Sequence, residues 1–589
     1  MSELIAEADA ERTHWIAATV ENKPTWALPG PFTMYEVGSS EEPEWGPSPL
    51  TLWELAMYEL SWALRSKPEW QRKAADPEIR AKWRKEALEQ KFVSGDDGDV
   101  QTVLTEKMVD YVLAELEGYA KISDNEKGIE RGCFDAIWYS DRLISKEVEE
   151  RLKNALEPLE NVPEDQKDWH PGSNKQVLDL VHPSLYCVVY GRTHAYLPGK
   201  PRIASNFLPV HAPKAEHPIE WTSQWISQKF CWLPSDFAVD AKDGSVRLVS
   251  PYINNINPML HQPLYRVIEE VIAGFIPMFE RVLGDTNREN DRVPFSNPDR
   301  LGEISCIWGE DEEPSPDDEP GSDEDEDEFV DNFLASADKI LPDAEEYKGA
   351  LEARFAPVSL HGRTIQCIIK LASIHLSPEH PEYAGGSWRV EGMTNESIAA
   401  SGIYYYDEEN ITESKLAFRV ATGEPAYHSQ GDNKCMQVLY GKDIHSVCTQ
   451  EIGAMVTQAG RALAWPNLFQ HCVSPFKLVD PSKPGHRKIL AIFLVNPTLD
   501  PIVSATDVPP QQAEWAGEAF EQAYAASDSV LGDLAPELRD LIKGHFSSTV
   551  MSLGEAEAYR LQLMKERTAF VADHTKKAYG KIFNIRAWR

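Results

Sequence analysis

Apolar residues recur at steps of three and four in Leu50-Thr-Leu-Trp-Glu-Leu-Ala-Met-Tyr-Glu-Leu-Ser-Trp-Ala-Leu64 and in Met108-Val-Asp-Tyr-Val-Leu-Ala-Glu-Leu116. That period lays one stripe of an α-helix against a core, and Ser145 to Leu159 reads as a more charged surface helix. Between Trp169 and Asn255 the pattern changes to strands. Val177 to Tyr190 is β-rich, and Asp236 to Asp240 and Ser245 to Val249 flank Ala-Lys-Asp-Gly244, a hairpin turn. The strongest helix is expected over Gln262 to Leu283, with Leu264, Val267, Ile268, Val271, Ile272 and Phe275 on its buried side. Strands resume at Thr364 to His375 and continue as short β-branched and aromatic runs, bounded by Gly, Pro and Asn, from Gly385 to Pro497. Helical spacing returns over Ala513 to Ala526, Ala535 to Phe546 and Leu553 to Tyr579, the last of which fits either a cap or a dimer interface.

These patterns predict an α+β protein in five parts: a helical N-terminal region (1–165), a first part of the β core with its backing helix (166–308), an acidic disordered linker (309–332), the main β core (333–500) and a helical C-terminal region (501–589). A length of 589 residues exceeds what one hydrophobic core usually supports. With 42% apolar residues and 17 Trp, the chain has ample material for a packed interior.

The net charge of −37 argues against nucleic acid or an anionic membrane as partner, because both reward Lys and Arg clusters. Fourteen of the acids fall between residues 310 and 331, without a base among them, so the remainder carries −23. The tract 310–328 reads as a solvated loop, broken by Pro314, Pro316 and Pro320, and lacks the ligand spacing of a calcium loop. Eight Cys without a Cys-x-x-Cys pair suit reduced thiols inside the cell. The start of the chain lacks the basic and apolar segments of a signal peptide, and no apolar run approaches a membrane span, so a cytoplasmic location is expected.

The candidate chemistry lies between Gly385 and Pro497. Arg389-Val-Glu391 places two charged side chains on one face of a strand, about 7 Å apart. His471 lies on a later strand with Gln470 and Cys472 facing away, and Arg487 begins the last apolar strand and turns inward. Tyr404, Tyr405 and Tyr406 alternate faces, chiefly for packing, and Asn467 shapes the turn before His471. His170 and His182, each before a Pro, read as turn or core residues.

An acidic residue two places after a ligand position, a His eighty residues on and an Arg sixteen further resemble the double-stranded β-helix (jelly-roll, cupin-like) of iron(II)/2-oxoglutarate oxygenases. The phrases Trp169-His-Pro-Gly-Ser-Asn174, Trp232-Leu-Pro-Ser-Asp-Phe237, Pro251-Tyr-Ile-Asn-Asn255, Gly402-Ile-Tyr-Tyr-Tyr-Asp407 and Pro484-Gly-His-Arg-Lys-Ile-Leu490 resemble, more closely, a large fungal family of oxygenase-like proteins. The resemblance implies Fe(II) held by Glu391 and His471, and 2-oxoglutarate anchored by Arg487. Such iron sites use two His and one carboxylate, and a guanidinium suits the distal carboxylate of the cosubstrate.

The resemblance also implies a His where this sequence has Arg389, and a guanidinium has no lone pair for a metal. Three outcomes follow. His375, His380, His428 or His445 supplies the third ligand; two protein groups and water hold the metal; or the metal is lost and the fold kept. The expected function is therefore an oxygenase hydroxylating a small molecule, with a catalytically impaired binding or scaffold protein as the alternative.

Overall fold

The computed structural model describes Leu28, Phe32 and residues 49–94, 100–213, 225–287, 300–301, 342–424, 433–443, 445–525, 534–546 and 549–582. The helices that position the site are α1 (Leu52–Arg65), α2 (Glu106–Ile122), α3 (Lys146–Glu160), α4 (Gln262–Thr286) and α5 (Leu553–Ala578). The first is opened by a capping box, with Thr51 and Glu54 each satisfying the other's backbone N–H. Ser145 and Ser552 cap α3 and α5 in the simpler way.

The strands of the two main sheets are β1 (Glu130–Arg131), β2 (Trp138–Ser140), β3 (Val177–Val181), β4 (Ser235–Val239), β5 (Val246–Leu248), β6 (Thr364–Leu376), β7 (Ile398–Glu409), β8 (Ser414–Ala421), β9 (Thr449–Thr457), β10 (Ala462–Pro466), β11 (Gln470–Val473) and β12 (Gly485–Val495). A nine-stranded sheet runs in the order β5-β4-β6-β12-β7-β10-β2-β1, and β3 pairs with the far half of β6. A three-stranded sheet runs β9-β8-β11. All of these pairings are antiparallel.

Strand alternation sorts the large sheet into two faces. Ala400, Tyr404 and Tyr406 of β7, Ala464 of β10 and Leu490, Ile492 and Leu494 of β12 share one cluster with Ile268, Phe275 and Phe279 of α4. The expected backing helix is thus present, and Gly402 lets it come close: a Cβ there would lie 2.8 Å from the Phe275 ring. The opposite face carries Ile403, Tyr405, Leu463, Trp465, Ala491 and Phe493, which pack with Leu416, Phe418 and Val420 of β8 and Met455 of β9. The two sheets therefore enclose a shared core, and that chamber holds the site.

The C-terminal helix packs back onto the chain. Its Phe570 joins Val390 and Met393 in one cluster, and its Arg567 pairs with Glu396, so this part of α5 packs on the chain's own core. No helix of the described residues is long and apolar enough to cross a membrane. The acidic tract and His428 lie outside the described residues.

Candidate ligand and metal site

The site begins with a turn that only glycine fits. Gly385 has φ +91°, and a Cβ there would meet the Val473 carbonyl at 2.8 Å. The Gly386 N–H then donates to that carbonyl at 2.9 Å, which lays the next residues beside β11. Arg389 and His471 exchange backbone hydrogen bonds, 3.2 Å from Arg389 N and 3.0 Å from His471 N. The strand expected through Arg389 and Glu391 is reduced to this single bridge. The chain leaves the ladder at Gly392 (φ +71°) and turns through Thr394–Glu396, a break that the β-like run in the sequence does not reveal.

Asn467, fully buried just beyond β10, fixes Glu391 in place of a ladder partner. Its Oδ1 accepts from Glu391 N at 2.8 Å, and its Nδ2 donates to Glu391 O at 2.8 Å and to Ile398 O at 3.2 Å. The Glu391 carboxylate thus has a fixed position. Arg389 Nε donates to its Oε1 at 3.2 Å, and His471 Nε2 lies 3.2 Å from the same oxygen. Burial alone would raise the Glu391 carboxyl, but Arg389, the His471 hydrogen bond and Lys370 outweigh it and hold the group well below the usual carboxylate range. Burial lowers the His471 imidazole, with Glu391 opposing. The His471 ring meets Trp465 edge-on at 5.1 Å, and its Nδ1 is buried without a hydrogen-bond partner.

Arg487, only 3% exposed, turns into the same chamber. One terminal nitrogen donates to Ser414 Oγ at 2.5 Å and Thr457 Oγ1 at 3.2 Å, and the guanidinium stacks 4.6 Å from the Phe476 ring. Its Nε has no hydrogen-bond partner. No carboxylate stands within ion-pair reach of it among the described residues; Glu408, its ladder neighbour, keeps a buried Oε2 that is likewise unpartnered. A buried cation contacted by hydroxyls and aromatic rings is suited to receive an anion.

Sequence reasoning did not single out Lys370. It interrupts the apolar run of β6 on the face shared with Ile368, opposite Ala491, and so faces the chamber. A charge in the middle of a buried strand was the available signal. Beyond it, His170, Asp179 and His182 bring ligand atoms within 4.8 Å of one another, the spacing a cation requires. Other contacts already engage this group. His182 Nδ1 accepts from Ser184 N–H at 3.2 Å, which places the neutral ring's proton on Nε2. Asp179 accepts from His170 Nδ1 at 2.7 Å and from Arg560 of α5. The arrangement ties α5 to β3, and the reading of the two His as turn or core residues accounts for these bonds.

The donor set around Glu391 does not fit a resident iron. Arg389 offers no lone pair, and the Glu391 oxygen facing His471 is already engaged by a guanidinium. Of the other imidazoles, His375 lies between Trp169 and His486 on the face away from the chamber, and His380 and His445 are exposed. A 1260 Å³ cleft bordered by Trp62, Tyr139, Gln450 and Arg461 contains none of the site residues and is open and polar.

Among solved structures, the chain is similar to the Fe(II)/(alpha)ketoglutarate-dependent dioxygenase TqaL, at 12% identity over 23% of this chain and 42% of that one, with a TM-score of 0.15. A bsmA homolog from Methylobium petroleophilum PM1 is 12% identical over 28% of this chain and 60% of its own, and IDO from Bacillus thuringiensis 10% over 27% and 68%, both with TM-scores of 0.15. The chain thus spans less than two thirds of the first two. No curated protein matches it. Residues 19–86 match the domain described as DUF4246, N-terminal. Residues 106–519, well over half of the sequence, match the model described as "Protein of unknown function (DUF4246)", and the chain belongs to that family.

Proposed function

We propose that the facing sheets form a double-stranded β-helix of the iron(II)/2-oxoglutarate oxygenase kind, and that this chain uses it to bind a small carboxylate-bearing molecule without a resident metal. The observation that carries the reading is the shared oxygen: Arg389 Nε and His471 Nε2 both lie 3.2 Å from Glu391 Oε1. The guanidinium supplies the positive charge that Fe(II) would bring to this carboxylate, and it cannot ligate. Arg487 is a buried cation with no contacting carboxylate among the described residues, beside a cluster of apolar side chains of the kind that lines small-molecule sites.

The second reading is an Fe(II)/2-oxoglutarate-dependent oxygenase that hydroxylates a small molecule, with Glu391 and His471 as ligands and Arg487 on the cosubstrate. It is favoured by the closeness of Glu391 and His471 alone.

Anaerobic Fe(II) titration of metal-free full-length protein, with and without 2-oxoglutarate, separates the two. The natural chain is expected to show no saturable binding, and Arg389→His to bind saturably. Tight, cosubstrate-enhanced binding by the natural chain would replace the first reading with the second.

A further inference from the structure

The small sheet ends at β9, which pairs only with β8 among the described strands. Glu451, Ile452, Gly453, Ala454 and Val456 of β9 all border the 1260 Å³ cleft. Residues of both faces line one cleft only where a strand turns its edge towards it. The hydrogen bonds agree. Lys415 of β8 bonds to Ser474 on the β11 side, through its N–H at 2.7 Å and its carbonyl at 2.8 Å. Successive residues of an antiparallel ladder turn their backbone groups to opposite sides, so Ser414 and Leu416 face Thr457 and Met455, and Ala454 and Val456 turn theirs outward. Val456 O accepts from Arg461 Nη1 at 2.8 Å. The Ala454 N–H and C=O and the Val456 N–H have no partner among the described residues. Edge strands are commonly blunted by Lys, Pro or a bulge. Thr449–Thr457 carries neither residue, and its one bulge lies at Ile452, before this stretch.

The facing wall is α1, with Leu55 and Trp62, and the Trp62 ring meets Tyr139 edge-on at 5.6 Å. The open cleft exceeds the roughly 300 to 1,000 Å³ of most small-molecule pockets, so a length of chain suits it better than a compact ligand. Among the exposed charges lining it, Glu69, Asp141 and Glu413 are paired. Glu59 and Glu451 have no ion pair and no side-chain hydrogen bond among the described residues, and Lys67 is the one exposed lining cation in that condition. The unmatched charge is therefore acidic.

We infer that the β9 edge is a docking site for an extended peptide of a partner protein, which adds a fourth strand to this sheet and alternates apolar with Lys or Arg side chains. Backbone pairing to Ala454 and Val456 supplies the attachment, as in other cases of strand addition. Met455 is buried and Glu451 exposed, so the side chains of the added strand alternate between the Trp62–Tyr139 wall and the acidic rim. The first set is apolar and the second basic.

The test uses full-length protein and a fluorescein-labelled Lys-Val-Lys-Phe-Lys-Val peptide, read by fluorescence anisotropy, with near-UV circular dichroism as the check on folding. Two further peptides carry N-methyl groups on one or the other set of alternate amides, and a fourth has Glu for Lys. Saturable binding of the parent peptide is expected. One N-methyl set should weaken it at least about ten-fold and the other leave it nearly unchanged, because only one set faces β9. Glu for Lys, and the Glu451→Lys protein, should each weaken it about ten-fold, and Trp62→Ala should weaken it further than Val93→Ala on the rim. No saturable binding, or equal binding of both N-methyl peptides and the parent, would overturn strand addition. Equal binding of the Lys and Glu peptides would overturn the basic partner. A dimer of the natural chain that the peptide disperses in sedimentation velocity would assign the edge to a second copy and overturn the partner altogether.

Discussion

Arg389 and His471 face each other across an antiparallel bridge and exchange both backbone hydrogen bonds, at 3.2 and 3.0 Å. Their side chains meet on one oxygen, Glu391 Oε1, each at 3.2 Å. A guanidinium and an imidazole thus share one carboxylate oxygen.

Glu391→Gln is expected to destabilise the protein by about 1 to 3 kcal/mol, since it strips the counter-charge from Arg389 and a hydrogen bond from buried His471. Thermal unfolding measures the loss. Combining it with Arg389→Met should cost less than the two single changes summed, because the residues interact directly. Strict additivity would show that the contact carries no coupling energy.

Asn467→Ala removes three hydrogen bonds that this fully buried side chain makes to backbone groups of Glu391 and Ile398. A destabilisation of about 2 to 4 kcal/mol is expected, together with loss of carboxylate binding as Glu391 and its neighbour Arg389 lose their fixed position. Unchanged binding with the stability loss alone would show that the Asn467 clamp serves only the fold.

Arg560→Met should cost about 3 to 5 kcal/mol, because Asp179, 4% exposed, would be left buried without the guanidinium that now pairs with it. Denaturant unfolding measures it. A change below about 1 kcal/mol would mean that the Arg560 pairs contribute little to holding α5.

Acid stability should depend on the same carboxylate. Burial would raise Asp179, but the His170 hydrogen bond and the positive field of His182 and Lys370 take it down to about 2. A value below the ordinary carboxylate value of about 3.9 means that its contribution is fully present above about pH 4 and is lost as pH falls towards 2. Asp179→Asn should flatten the pH dependence of unfolding in that window. An unaltered slope would assign acid sensitivity to other carboxylates.

Helical periods in the sequence located α1, α3, α4 and α5 to within three residues at each end and the middle of α2, which continues six residues past Leu116, because a stripe of apolar side chains at steps of three and four has one stable use. The β4–β5 hairpin and the inward turn of Arg487 were legible for the same kind of reason: a turn signal, and alternation along an apolar strand. Residue type alone also established that Arg389 cannot be a ligand. The meeting of Arg389 and His471 on a single Glu391 oxygen, the Asn467 clamp, the placement of Lys370 towards the chamber and the bond from Arg560 to Asp179 across 381 residues belong to the tertiary structure. Periodicity reports which face a side chain occupies, whereas contacts between distant segments depend on how sheets and helices pack, and only the folded chain fixes that.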